Sequence, residues 1–276
     1  MRGRQGEGET RRKGESPTKA MILAAGQGTR LRPLTESIPK CMMPIGGKPL
    51  LEHIIVWLRK YAVTDLMINL HHLPQVVKDY FGDGQKWVVK ITYSIEEELL
   101  GTAGGVKNVD WFFHGPFFVW YGDNLSTCRL DYLWEFHRAK GGVATIALHY
   151  RDDPTQSGIV SLDKNDRITR FLEKPRPAQV FSHWVSAGIF VLEPAVLQAI
   201  PAEGAPDFGR DVFPALLAQG AALYGYRMSH TEGLWWIDTP EDLRRVEETM
   251  GTQMNTETRF FAPGACPEQG RRGRSE

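Results

Sequence analysis

Between residues 19 and 150 the chain alternates short apolar runs with stretches of helical period, and this rhythm restricts the fold more than any other feature. Residues 19–25 form an apolar run that ends in glycines and read as a buried strand. Residues 50–61 place Leu50, Leu51, Ile54, Ile55 and Leu58 at the spacing of a helix with one buried face. Asp65–Leu70 predicts a second strand, 75–81 a short helix, 88–93 a third strand and Phe117–Tyr121 a fourth. A helix over 129–140 and a strand over 143–150 continue the series. Parallel strands need crossover connections, usually helical, so this order favours a mostly parallel sheet covered on both faces. The fold class is α/β, Rossmann-like.

The second half changes character. Ile159–Leu162, Ile168–Leu172 and Trp184–Leu192 follow one another closely, separated by turn residues such as Asp163, Asn165 and Pro175. That spacing predicts antiparallel additions to the sheet. Helices are expected over 194–200, 209–219 and 240–250. Residues 1–18 hold Met1 as their one apolar side chain, and 251–276 are polar and glycine-rich, so both read as disordered tails around a domain over 19–250. The first residues contain no apolar run that could serve as a signal peptide. Three cysteines, far apart and without a CxxC pair, fit a reducing, cytoplasmic compartment. The 33 basic and 33 acidic residues balance, which gives no footprint for a nucleic-acid or membrane partner.

In open α/β sheets ligands bind outside the carboxyl ends of the strands. The first predicted strand ends there in Ala25-Gly26-Gln27-Gly28-Thr29-Arg30, and glycines at such a point let backbone N–H groups approach an anion. Leu31 stands where a dinucleotide GxGxxG loop needs its third glycine. Gly47-Lys48 is no Walker loop either, because Met42 replaces its first glycine and Pro49 its Ser or Thr. Arg30 and the nearby Lys40 suit polyphosphate better than NAD, although a tight turn with two solvated cations fits the same residues.

The run GQGTRLRPLTESIPKCMMPIGGKPLLEH resembles the signature of the sugar-1-phosphate nucleotidyltransferases, the family of glucose-1-phosphate thymidylyltransferase and mannose-1-phosphate guanylyltransferase. The similarity continues in Leu100-Gly101-Thr102-Ala103-Gly104, Gly122-Asp123-Asn124, Glu173-Lys174-Pro175 and Trp236-Ile237-Asp238-Thr239-Pro240. It implies a transferase of nucleotide-sugar biosynthesis acting on a nucleoside triphosphate and a sugar 1-phosphate. By this resemblance Ala25, Gly26, Gly28, Thr29, Gly101 and Thr102 hold the nucleotide, and Arg30, Lys40 and Lys174 are the catalytic cations. Asp123 and Asp238 would bind Mg²⁺, which takes one or two carboxylates and completes its shell with water and phosphate oxygens. Taken alone, both aspartates read as turn or helix-capping residues. The family glycine between Asp and ThrPro is missing after Asp238. Gly158, Glu173 and Ser186 are implied at the sugar, where Ser186 replaces a family asparagine. Oligomeric state stays open, a homo-oligomer included.

Glu96-Glu97-Glu98 precedes Leu99-Leu100-Gly101 at the position where this family reads the base. Guanylyltransferases resemble Glu-x-Glu-Pro-Leu-Gly-Thr-Ala there, which Glu96 and Glu98 match, while thymidylyltransferases carry glutamine. Guanine offers two adjacent donors to one carboxylate, whereas uracil and thymine flank one donor with oxygens that repel it. GTP is therefore the expected donor and a mannose- or heptose-type 1-phosphate the acceptor, with a UTP- or dTTP-dependent glucose-1-phosphate enzyme as the alternative. A non-catalytic sugar-nucleotide-binding subunit is disfavoured because Arg30, Lys40, Asp123 and Lys174 are all present. Asp207-Phe208-Gly209 spells a kinase motif, yet no HRD loop precedes it and Asp207 reads as a helix cap. His71 and His72 are neighbours that would point to opposite sides of an extended segment, a poor metal site.

Overall fold

The computed structural model describes residues 16–256, and the tail expectations for 1–15 and 257–276 lie outside them. In chain order the strands and α-helices are β1 (Lys19–Leu23), β2 (Pro44–Ile45), β3 (Lys48–Pro49), α1 (Leu50–Lys60), β4 (Asp65–Leu70), α2 (Pro74–Phe81), β5 (Lys90–Ile95) and α3 (Gly101–Lys107). They continue with β6 (Phe117–Tyr121), β7 (Asn124–Ser126), α4 (Leu130–Lys140), β8 (Ala144–Tyr150), β9 (Ile159–Leu162), β10 (Ile168–Leu172) and β11 (Trp184–Leu192). Last come α5 (Phe213–Ala218), β12 (Leu223–Arg227), β13 (Leu234–Trp236) and α6 (Pro240–Thr256).

Nine strands make the main sheet. Its parallel part runs β6-β1-β4-β5, with Ile22 opposite both Ile68 and Trp120. The long β11 joins antiparallel to β6 through its second half and to β9 at Val185, and β10 follows β9. On its other side β11 pairs with β8, to which β12 adds in parallel. This is the expected α/β sheet with antiparallel additions. Side chains alternate along each strand, so the sheet feeds two cores. Ala20, Ile22, Phe118 and Trp120 pack with α1 and α4 on one face, and Met21, Phe117 and Val119 pack with α3 and α5 on the other.

The differences from the sequence reading have local causes. β5 starts at Lys90 because Val88 sits in the left-handed region (φ 59°) after a 3-10 turn. The helix expected over 209–219 is a π-turn, Phe208–Val212, continued by the short α5. Residues from Pro194 form a 3-10 helix, and α6 runs past Met250 to Thr256. β12, α3 and two small ribbons, β2–β3 and β7–β13, had no strong local signal. α3 contains Gly101, Gly104 and Gly105, poor helix formers. Its first turn is held from outside, since the Ala103 and Gly104 N–H groups both donate to the Pro206 carbonyl.

The parallel strands all end at one edge of the sheet, which places the loops after β1, β4, β5 and β6 side by side. Trp120 is fully buried near the end of β6 and donates its indole N–H to the Asn124 carbonyl at 3.3 Å. Trp120→Ala should cost about 3–5 kcal/mol of stability by opening a cavity in the core beneath this edge. Urea denaturation should show a lower midpoint at an unchanged slope; an unchanged midpoint would contradict the packing described.

Candidate active site

The loop after β1 begins with a tie to its neighbours. The Ala24 N–H donates to Asn69 Oδ1 at 2.8 Å, and the Gly122 N–H donates to the Leu23 carbonyl at 2.8 Å. Gly28 adopts φ 61°, and a Cβ there would stand 2.8 Å from Thr35 and 3.0 Å from Lys40, so both conformation and space demand glycine. Gly26 differs: a Cβ would meet nothing within 4 Å. The protein's own packing does not require that glycine, which leaves an approach open above the backbone. The loop walls a cleft of about 300 Å³ whose lining includes Ala25, Gly26, Gly28, Thr29, Arg30, Lys40, Glu96, Gly101, Thr102, Asp123 and Asp238.

Asp123 follows β6 and Asp238 follows β13, and the β7–β13 ribbon brings them together. Asn124 lies opposite Trp236 in that ribbon, and the Ile237 N–H donates to the Asp123 carbonyl. The shortened loop after Asp238 therefore still reaches the site. The nearly buried Lys40 ammonium donates to Asp123 Oδ2 at 2.8 Å and to Asp238 Oδ1 at 2.6 Å. The half-exposed Arg30 pairs with the same Asp238 oxygen at 2.9 Å. Burial alone would lower the Lys40 pKa, but the charges and hydrogen bonds of the two aspartates outweigh it and hold the pKa above its ordinary value. Among the described residues no group of three or more His, Cys, Asp or Glu is arranged to hold a metal. Two carboxylates that already share one cation can share another, provided that phosphate or water completes its shell.

Lys174, Glu173, Gly158 and Ser186 form a second group that the cleft lining does not include. The Lys174 N–H bonds the Ser157 carbonyl at 3.3 Å, and the Ser186 N–H bonds the Gly158 carbonyl at 2.8 Å. The Lys174 ammonium is exposed and has no ion-pair partner among the described residues. Gly158 and Gly209 both crowd the Glu173 carboxyl, for a Cβ would stand 2.6 Å from its Oε2 at Gly158 and clash harder at Gly209. Burial and the neighbouring Asp207 push the Glu173 pKa up to about 7, although Lys174 and Arg210 pull the other way.

Tyr121 joins the two groups. It lines the cleft, lies against Thr102 and faces Asp207, Glu173 and Asp123; burial, then those charges, raise its pKa well above the ordinary value. Thr102 Oγ1 donates to Asp207 Oδ2 at 2.6 Å, so the residue read as a helix cap also anchors the start of α3. It caps as well, since its Oδ1 accepts the N–H groups of Gly209 and Arg210.

At the position expected to read the base, Glu96 is buried and both of its oxygens have protein partners. Oε1 accepts from Asn69 Nδ2 at 2.7 Å and Oε2 from the Leu100 N–H at 3.1 Å. Glu98 is exposed and does not line the cleft. His71 and His72 do point apart, to the carbonyls of Glu96 and Thr35. The sequence reading missed Asn69, Tyr121 and Leu99 in the lining. Asn69 had a usable signal, a lone amide near the end of an apolar strand.

Comparison with known proteins identifies the family. The model of the family described as Nucleotidyl transferase matches residues 19–250. The chain is 38% identical over 234 residues to a UTP–glucose-1-phosphate uridylyltransferase of Synechocystis sp., covering 80% of this chain and 59% of that protein. It is 37% identical over 230 residues to a mannose-1-phosphate guanylyltransferase of Mycobacterium tuberculosis, covering 82% and 62%. The chain thus spans about three fifths of the length of these curated relatives. The crystal structure of HddC from Yersinia pseudotuberculosis complexed with GMP-PN superposes with a TM-score of 0.69 at 25% identity, covering 84% of this chain and 99% of that one. Among the described residues no helix is long and apolar enough to cross a membrane. One family model matches from the first strand into the last helix: the chain belongs to the nucleotidyl transferase family.

Proposed function

We propose that the chain is a cytoplasmic, Mg²⁺-dependent sugar-1-phosphate nucleotidyltransferase that transfers GMP from GTP to a mannose- or heptose-type 1-phosphate and releases pyrophosphate. The observation that carries this reading is the convergence of Arg30, Lys40, Asp123 and Asp238, through contacts of 2.6 to 2.9 Å, beside a glycine loop with open backbone. Two cations suit a triphosphate and two carboxylates suit its metal.

An oxygen of the sugar phosphate is already anionic at neutral pH, so it attacks the α-phosphorus without a general base. The bond to the pyrophosphate oxygen breaks on the opposite side. Catalysis then consists of positioning and charge neutralisation. Arg30 and Lys40 face the growing negative charge, and Lys174, without an ion-pair partner among the described residues, takes the acceptor's phosphate. Glu173, Gly158 and Ser186 surround the sugar hydroxyls. Asp123 and Asp238 are the residues that would hold Mg²⁺, which supplies further neutralisation of the triphosphate when bound. The Glu96 carboxylate keeps lone pairs beyond its two protein bonds for the paired donors of guanine. The uridylyltransferase relative keeps a pyrimidine donor as the second reading.

Arg30→Ala should lower turnover about a hundredfold or more, comparable to losing one strong transition-state donor, roughly 3–4 kcal/mol. Near-normal pyrophosphate release by the folded variant would remove Arg30 from the mechanism. For the wild type, release measured over GTP, UTP and dTTP with several sugar 1-phosphates should favour GTP and stop in excess chelator. A pyrimidine preference would overturn the guanine assignment alone, and full activity in chelator would overturn the metal.

Glu173 gives a pH prediction. Its folded pKa of about 7 lies above the ordinary value of 4.5, so folding favours the protonated form. That contribution is complete below the ordinary value and is lost as pH rises through about 7. The melting temperature of the free protein should therefore fall between about pH 4.5 and 7 and level off above, with a shallower fall in Glu173→Gln. Identical slopes in the two proteins would show that Glu173 titrates normally.

A further inference from the structure

β4 lies between β1 and β5, so the loops after those strands flank its carboxyl end. One is the glycine loop; the other starts with Glu96. Two side chains from β4 and the residues just after it span both. Asn69, 2% exposed, accepts the Ala24 N–H on Oδ1 at 2.8 Å and donates from Nδ2 to Glu96 Oε1 at 2.7 Å. Two residues on, His71 Nδ1 lies 2.9 Å from the Glu96 carbonyl, and its Nε2 lies 3.4 Å from the Gln27 side-chain amide. A carbonyl only accepts, so Nδ1 carries the proton and Nε2 is left to accept from Gln27.

An amide inside the apolar strand DLMINL is costly unless both of its ends are bonded. Here one end takes a backbone donor of the triphosphate loop and the other gives a hydrogen to a carboxylate. Aspartate at this place would set a carboxylate against Glu96, and leucine would leave the Ala24 N–H and Glu96 Oε1 without these partners. α3 closes the third side, since a Cβ on Gly105 would stand 2.7 Å from both Asn69 Nδ2 and Glu96 Oε1. With the Leu100 N–H on its other oxygen, the carboxylate has no room to turn.

We propose that Asn69 is a positioning residue that sets base selectivity by holding the Glu96 carboxylate in register with the glycine loop. The proposal rests on the role given to Glu96 above and extends it. A carboxylate whose plane is fixed from behind presents its remaining lone pairs in one direction, as paired donors on a base require. Released from Asn69, Glu96 keeps its charge and loses its aim. Because the same amide bonds Ala24, base and triphosphate subsites are held at one separation.

The test measures kcat and KM for GTP and UTP, with Mg²⁺ and mannose 1-phosphate, in the wild type, Asn69→Ala, Glu96→Ala and the double variant. The GTP-to-UTP ratio of kcat/KM should fall tenfold or more in Asn69→Ala, chiefly through the KM for GTP. It should fall no further when Asn69→Ala is added to Glu96→Ala, as expected of residues acting through one another. A purely structural role would lower the melting temperature and weaken both triphosphates alike. An unchanged ratio in folded Asn69→Ala, or full additivity with Glu96→Ala, overturns the proposal. Should Asn69→Ala fail to fold, the side-chain amide resonance of Asn69 in the wild type serves instead. It should shift further on saturation with GTP than on saturation with UTP, which carries the same triphosphate, and equal responses overturn the proposal. A wild-type preference for UTP overturns the guanine reading only, because the ratio and its non-additivity are then read in the other direction.

Discussion

A nearly buried ammonium is the constraint on which the site depends. Removing Lys40 from water costs several kcal/mol unless the charge is paired and hydrogen-bonded. Its partners, Asp123 and Asp238, lie 83 and 198 positions away in the chain. Their convergence therefore requires the whole sheet, with β6 delivering one carboxylate and the β7–β13 ribbon the other. With Arg30 on Asp238, two cations balance two anions at this edge of the cleft. On the proposed function a triphosphate with its metal exchanges these partners rather than meeting bare charges.

The two ends of the site come from different kinds of structure. The end proposed for the nucleotide is made by loops after parallel strands, which the sheet aligns at one edge. The end proposed for the acceptor is made around β9, β10 and β11, whose antiparallel pairing sets Gly158 beside Ser186 and Glu173. Tyr121 and the Thr102–Asp207 hydrogen bond run between the two ends and tie the start of α3 to the turn after Asp207. Burial, followed by the charge of Asp207, explains why Glu173 holds its proton to near-neutral pH.

Much of this was legible locally. Helical and strand periods located α1, α4 and the strands β1, β4, β5, β6, β8, β9, β10 and β11 because those segments bury one or both faces, and burial leaves a repeating mark. Gly28 was legible as a loop glycine because its φ and its crowding by Thr35 leave no alternative. Segments stabilised from outside left no mark. α3 is rich in glycine and is held by the Pro206 carbonyl, and β12 and the β7–β13 ribbon owe their form to the strands they join.

The sequence by itself determined the α/β class, the glycine loop after β1 and the residue types proposed to carry the chemistry, because these follow from periodicity and from motifs only a few residues long. Tertiary structure decided which charges meet. It decided that Asp238 reaches Lys40 despite a shortened loop, that Glu98 stays outside the cleft while Glu96 is braced by Asn69, and that Glu173 is desolvated against Asp207. Each of these depends on the distance between segments remote in the chain, and on water excluded between them, quantities that no local pattern encodes.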